Sequence, residues 1–284
     1  MSTSRVTSPK ASRSSRSLHA PRPAARATLS AVAALLLAAC AGQPAWHSGF
    51  ESGFPGSEWL NHDRGAYSAD GTLPVGRASA WTIVDRESGA PVFSGRHAYK
   101  GWIVRAAGDS HRAYPGIHVD IPTPLVNSFM VYLDADYDRM RADDWIHFGT
   151  WGNHDTTAAT GRWALHTLAV RDRKLEFAHT APFHGEYIGP RPQPEFPLRR
   201  WVRLTAYIHY ADTSGQVQVW QDGVPMLRAE VAALAGNPGT RLRPAHWGIY
   251  ANGGVDHGVQ YNDQISICTL AAPLTDLGGE PACP

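Results

Sequence analysis

The chain has little cysteine, three in 284 residues, and no apolar run long enough to cross a bilayer. Its longest such run, Ala31-Val-Ala-Ala-Leu-Leu-Leu-Ala-Ala39, falls well short of the ~20 residues a membrane helix needs. Helical periodicity is nearly missing, with only Val231 to Ala235 hinting at a short turn. No repeat of fixed period is present, which excludes solenoid and propeller arrays. There is no Gly-x-Ser-x-Gly elbow, no His-Glu-x-x-His helix and no zinc-type ligand spacing. There is also no Glu-x-Asp-x-Glu or Glu-x-Asp-x-x-Glu strand, so the two close carboxylates of retaining glycoside hydrolysis are lacking. Nor does charge of one sign dominate: 26 Lys and Arg stand against 25 Asp and Glu. Six of the basic residues and none of the acidic ones lie before residue 40, so the remainder carries 20 against 25, a net charge of −5. A mildly acidic domain lacks the basic footprint of a nucleic-acid binder, and no nucleic-acid partner is expected.

What the N-terminus does have is a basic, Ser- and Ala-rich stretch, the short apolar run, and then Leu37-Ala38-Ala39-Cys40. These four residues resemble a bacterial lipobox. The resemblance implies a lipoprotein signal peptide over 1–39, cleavage before Cys40 and a lipid on its sulfur. An ordinary signal peptide cut after an A-x-A-like site is the alternative and also means export. Residues 40–45 then form a short tether, 46–270 one β-sandwich domain, and 271–284 a C-terminal tail. Ala41 and Gly42 behind the lipidated cysteine, with no Asp, are compatible with anchoring in the outer membrane. Export leaves Cys268 and Cys283 to pair, tying the tail to the last strand, or to remain two free thiols. The bond would be worth roughly 3 kcal/mol in the chain-entropy description.

From Trp46 onward the pattern is one of strands and turns. In Trp201-Val-Arg-Leu-Thr-Ala-Tyr-Ile-His-Tyr210, apolar Val202, Leu204, Ala206 and Ile208 alternate with Trp201, Arg203, Thr205, Tyr207 and His209. That is period 2, with one face for a core and one decorated. Gln216 to Gln221 and Val224 to Leu227 flank Asp222-Gly223, a tight-turn pair. Phe129 to Asp134, Trp145 to Trp151, Trp163 to Val170, Lys174 to His179 and Val259 to Ile267 read as further strands, with Arg171-Asp172-Arg173 closing a hairpin. Pro182 to Pro197 holds five prolines and reads as a long surface loop. Many short strands at even spacing predict an all-β sandwich or jelly roll.

Gly215-Gln-Val-Gln-Val-Trp-Gln-Asp-Gly223 resembles the G-x-V-x-V-W-x-D-G hairpin of concanavalin A-like lectin and glucanase folds, and Arg200-Trp-Val-Arg-Leu204 looks like the strand before it. Trp247-Gly-Ile-Tyr250 and Tyr261-Asn-Asp-Gln-Ile-Ser-Ile267 are similar to the closing strands of heparin lyase I-like polysaccharide lyases. The resemblance spans about Trp201 to Ile267 and implies a concanavalin A-like jelly-roll β-sandwich. It also implies a sheet face that binds acidic polysaccharide and cleaves it by β-elimination. The family's Lys-x-Gly-x-Tyr motif falls on His246-Trp-Gly-Ile-Tyr250, with Tyr250 on its Tyr and His246 replacing its Lys. The nearest counterpart of its mid-chain His is His147 in Ile146-His-Phe-Gly-Thr-Trp151.

Elimination from a uronic acid needs a base, an acid and a group that neutralises the carboxylate. His246 and Tyr250 are four residues apart on an extended strand and share a face, with Gly248 between them open to a ligand's approach. Tyr250, His246 and His147 are therefore the catalytic candidates, with Arg203 to neutralise the carboxylate bidentately. Trp201, Tyr207, His209 and Asn252 are candidate glycan-binding residues. A lectin-like face in which the same residues only pack and hydrogen-bond is the alternative. His166 reads as structural. His154-Asp155 could ligate a metal, but no zinc-type ligand spacing accompanies the pair, and no metal ligand is assigned. Asp134-Ala-Asp-Tyr-Asp138 begins like an oxygen-ligand Ca2+ loop but lacks its Gly and Glu, and reads as an acidic turn. No cofactor is assigned, with Ca2+ elsewhere left open by the family analogy. The expectation is a cell-surface lipoprotein that handles carbohydrate, as a polysaccharide lyase on uronic-acid glycans or as a non-catalytic glycan-binding or adhesion lipoprotein. A purely structural envelope lipoprotein is the third reading.

Overall fold

The computed structural model describes residues 42–52, 59–60, 66–105, 110–117, 120–153, 164–179, 185–211, 215–231 and 241–283. The signal segment, the lipobox with Cys40, residues 232–235, and the pair His154 and Asp155 lie outside the described residues. In chain order the strands are β1 (Gln43–Ser48), β2 (Trp59–Leu60), β3 (Ala66–Tyr67), β4 (Ser79–Asp85), β5 (His97–Val104), β6 (Ser110–Ala113) and β7 (Gly116–Ile117). They continue as β8 (Ile121–Pro122), β9 (Leu125–Ala135), β10 (Trp145–Asn153), β11 (Ala164–Arg171), β12 (Lys174–His179) and β13 (Gly185–Tyr187). The last are β14 (Trp201–His209), β15 (Gly215–Gln221), β16 (Val224–Val231), β17 (Arg241–Leu242), β18 (Ala245–Asn252) and β19 (His257–Thr269).

Two sheets form a sandwich. The ten-stranded sheet runs β13-β16-β15-β14-β9-β19-β5-β4-β3, with β1 also on β19. The seven-stranded sheet runs β12-β11-β10-β18-β7-β2, with β6 also on β18. Period-2 alternation supplies the core. Val202, Leu204, Ala206 and Ile208 of β14 point inward and share one apolar cluster with Ile146, Phe148, Leu168, Val170, Trp247 and Ile249 of the other sheet. The expected hairpin turns are present: Asp172 and Arg173 (φ 46° and 64°) and Asp222 and Gly223 (φ 48° and 87°) adopt the left-handed conformations that match strand twist. The proline-rich segment departs from a plain surface loop. It contains β13, paired to β16, and its Phe196 is buried against Phe148 at 4.6 Å.

Strict alternation fails in β10, and that failure shapes the site face. Register slips between His147 and Gly149 against both neighbouring strands. A bulge changes which residues face which side beyond it. Trp145 and His147 lie on the outer face, but after the bulge Thr150 takes that face and Trp151 turns into the core. Trp151 and Trp247 both donate their indole N–H to Asn127 Oδ1 of β9, at 2.7 and 3.1 Å, which ties the two sheets beneath the site.

Two buried histidines make the fold acid-sensitive. Burial lowers His166, whose Nδ1 lies 3.3 Å from the Tyr210 hydroxyl, to about 3, and His111 to about 4. Both stay neutral in the fold while the unfolded chain protonates near 6.5. Their stability contribution is therefore full above pH ~6.5 and is lost as pH falls towards those values. Unfolding free energies from urea titrations should fall between pH 7 and 5 by up to about 1.4 kcal/mol per pH unit per histidine. The slope should be shallower in His166→Gln, and identical slopes in the two proteins would show that His166 does not drive it.

Candidate functional site

The outward face of β18 gathers the chemistry. His246 pairs with Thr150 and Tyr250 with His147 across β10, while Tyr250 pairs with Arg112 across β6. Period 2 aims His246 and Tyr250 outward while Ala245, Trp247, Ile249 and Ala251 enter the core. Gly248 has a different role from the one its position suggests. It sits at φ 120°, and a Cβ there would lie 2.7 Å from the Ala113 carbonyl oxygen and 2.8 Å from Tyr114 Cα. The close approach it permits is that of the chain between β6 and β7, not of a ligand. That chain turns at Tyr114 and Pro115, where the Pro115 carbonyl accepts the Trp247 N–H at 3.2 Å. Gly116 serves His246 in the same way: a Cβ would fall 2.1 Å from its Nδ1.

The rings interlock. Tyr114 stacks on His246 at 4.9 Å and meets Tyr250 at 5.6 Å. Trp145 stacks on His147 at 4.1 Å and meets Tyr250 edge-on at 4.9 Å. His147 and Tyr250 are also edge-on, 4.9 Å apart at 84°. Over this cluster lies Arg112, whose Cζ is 4.4 Å from the Tyr250 ring centre and whose Nη2 donates to the Tyr250 hydroxyl at 3.5 Å. His147 and His246 are buried at 1% and 6% exposure, whereas Arg112 and Tyr250 are partly open. The opening therefore presents a phenol and a guanidinium, backed by two imidazoles and walled by Trp145. Such a surface can neutralise a carboxylate and move a proton beside it.

Three of the four expected catalytic residues, His147, His246 and Tyr250, thus meet in one cluster. Arg203 does not. It lies on β14 in the other sheet and is bound bidentately by Glu280 of the C-terminal tail, at 2.9 and 2.7 Å. The cation at the cluster is Arg112, which the sequence reading missed. Its strand, Ser-His-Arg-Ala, carries no turn, motif or alternation long enough to mark it. The expected binding residues are likewise displaced. Tyr207 is buried on the outer face of the ten-stranded sheet, its hydroxyl accepting the Leu274 N–H of the tail at 3.2 Å. His209 sits beside it, ring centres 6.5 Å apart, with its pKa lowered by burial. Trp201 belongs to an aromatic group on that same face. Asn252 is on β18 but donates to the buried Asp144 at 2.9 Å, which makes it a strut for the strand end.

The tail explains these displacements. Cys268 and Cys283 are joined as a disulfide. Between them the tail lies over β14 and β15, held also by Gln218 Nε2 donating to the Leu277 carbonyl at 2.7 Å. The acidic turn is consumed by ion pairs: Asp134 with Arg199 and Asp138 with Arg173, both at 2.8 Å, and Asp136 with Arg139 at 3.1 Å. Among the described residues no group of three or more His, Cys, Asp or Glu side chains is arranged to hold a metal.

No protein-family model matches the chain, and no curated protein matches it in sequence. Solved structures do. The chain is similar to an endo-β-1,4-glucuronan lyase from the fungus Trichoderma reesei, at 15% identity and a TM-score of 0.52, over 74% of this chain and 92% of that one. It is also similar to the alginate lyase Aly36B, at 11% identity and a TM-score of 0.41, over 62% and 82%. A third is a non-specific endo-β-1,3(4)-glucanase, at 11% identity and a TM-score of 0.43, over 81% and 95%. At such identities the likeness is one of architecture, and it agrees with the two packed antiparallel sheets: the chain is an all-β, concanavalin A-like jelly-roll sandwich.

Proposed function

We propose that this protein binds uronic-acid polysaccharide on the outer face of β18 and cleaves it by β-elimination. The observation that carries the reading is Arg112 poised over Tyr250, with His147 edge-on at 4.9 Å beneath it. Arg112 neutralises the uronate carboxylate, which makes the adjacent C–H acidic. The Tyr250 oxygen takes that proton as its own hydroxyl proton passes to the glycosidic oxygen, so that the C–O bond breaks, a carbon–carbon double bond forms and the phenol is regenerated. His147 and His246 position the phenol and complete the hydrogen-bonding capacity of the pocket, and Trp145 stacks on a sugar ring. The heparin lyase I-like resemblance of the last strands and the shared fold of a glucuronan lyase support this class of chemistry. The same reading makes the protein an exported lipoprotein anchored through Cys40, on the strength of the lipobox-like residues.

One observation favours a second reading, a lectin-like lipoprotein: both imidazoles are nearly closed to solvent. A single assay separates the two. Incubation with glucuronan, alginate, heparin-like and pectic polymers should give the ultraviolet absorbance of an unsaturated uronate on at least one of them. Arg112→Ala should lower that rate by about 10²-fold, the scale of one lost charge-stabilising donor. Arg203→Ala should leave it unchanged. Retention on a polymer column with no absorbance change on any polymer would establish the lectin instead.

A further inference from the structure

The ten-stranded sheet carries a second aromatic feature, on its own outer face. Trp201, Tyr132, Tyr261 and Lys100 are successive cross-strand partners on β14, β9, β19 and β5. They form one straight row, about 14 Å long at ~4.8 Å per strand. The inward neighbours Val202, Val131 and Tyr99 are buried in the core, while all four row residues are partly exposed. Adjacent rings meet edge-on, Trp201 with Tyr132 at 5.7 Å and Tyr132 with Tyr261 at 5.6 Å.

Phe93 flanks the row beside Trp201, 5.8 Å from it ring to ring and 47% exposed. The fold holds this exposed ring in place with a buried carboxylate. Asp263, fully buried at a register slip in β19, accepts the N–H groups of Phe93 and Ser94 at 3.0 Å each and of Gln264 at 2.7 Å. Burying a carboxylate is costly unless its hydrogen bonds are made, and here two of them fix a surface loop whose side chain faces water. At the other end, the Lys100 ammonium lies 4.9 Å over the Trp102 ring, and no carboxylate pairs with it among the described residues. The tail binds Arg203, Thr205 and Tyr207, the next outward residues of β14, and leaves Trp201 partly open.

We propose that this row is a second glycan-binding surface, a platform for an acidic polysaccharide chain on the sheet opposite the candidate catalytic site. Its shape fits a chain of sugar rings. It is a narrow line of rings across four strands, whereas a stable protein partner covers roughly 800 Å² on each side. Its chemistry fits as well: aromatic faces and edges for C–H-bearing rings, two phenol hydroxyls for sugar hydroxyls, and one cation free for a carboxylate. The polyuronate reading above decides only which polymer is tried.

The test is native electrophoresis of the full chain carrying Tyr250→Phe, which halts turnover, through gels containing glucuronan or alginate. Polymer should retard the protein. Adding Phe93→Ala with Lys100→Gln should weaken the apparent affinity by about fivefold or more, the scale of one lost aromatic and one lost charged contact. Thermal melting of the variant checks that the fold persists. Retardation unchanged by the two substitutions would overturn the proposal. So would wild-type dimers in light scattering that the substitutions dissolve, since the row would then be a contact between copies. The two readings fail separately. If wild type yields no unsaturated product but retardation depends on Phe93 and Lys100, the row stands without the lyase. If wild type cleaves and retardation ignores them, the lyase stands without the row.

Discussion

Tyr250→Phe is expected to lower formation of unsaturated uronate by about 10²–10⁴-fold, the range for removing a positioned proton-transfer group. The expectation is sharp because the substitution removes one atom from a packed ring. The phenyl ring keeps its place between Trp145 at 4.9 Å, His147 at 4.9 Å and Tyr114 at 5.6 Å, and under the Arg112 guanidinium at 4.4 Å. Fold and polymer binding should therefore persist while the rate collapses. Initial rates by absorbance, paired with polymer retardation, check both halves. A rate within a factor of a few of wild type would remove Tyr250 from proton transfer and leave the cluster as a ligand grip.

Asn127→Leu is expected to destabilise the protein by about 2–5 kcal/mol, from the cost of taking hydrogen-bond partners away from buried donors. Asn127 is fully buried, and its side-chain oxygen is the shared acceptor for Trp151 and Trp247. Its amide N–H also donates to the Ser266 carbonyl of β19 at 2.8 Å. Leucine fills much the same volume, so cavity formation contributes little and the loss is one of hydrogen bonds. Trp247 directly follows His246, and Trp151 directly follows Thr150. The same variant should therefore also loosen the site strand and reduce turnover. Urea unfolding monitored by tryptophan fluorescence gives the stability change, and a loss below about 1 kcal/mol would mean that the indoles find other acceptors.

Much of the sandwich is legible because a strand's information is local. Inward Val202, Leu204, Ala206 and Ile208 and the turn pair Asp222-Gly223 state both the face and the reversal within a few residues. His246 and Tyr250 share a face for the same reason, and their pairing with His147 and Thr150 keeps the outward side outward. Gly248 shows where local reading ends. Its conformation is called for by the Ala113 carbonyl of a neighbouring strand, which no spacing in its own strand records.

By itself, the sequence determined the all-β class, the hairpins and the shared face of His246 and Tyr250, since each follows from period 2 and turn chemistry over short stretches. Only the tertiary structure decided which arginine meets the phenol. Arg203 stands out on a long alternating strand and Arg112 sits on a strand too short to mark it, but the tail, tethered by Cys268 and Cys283, brings Glu280 onto Arg203, while β6 pairs with β18 and lays Arg112 over Tyr250. Tertiary structure likewise decided that Trp151 enters the core, because a bulge set by two neighbouring strands overrides alternation in β10. A charge finds its partner across the fold, and a bulge is settled between strands, so neither is written in the residues that display it.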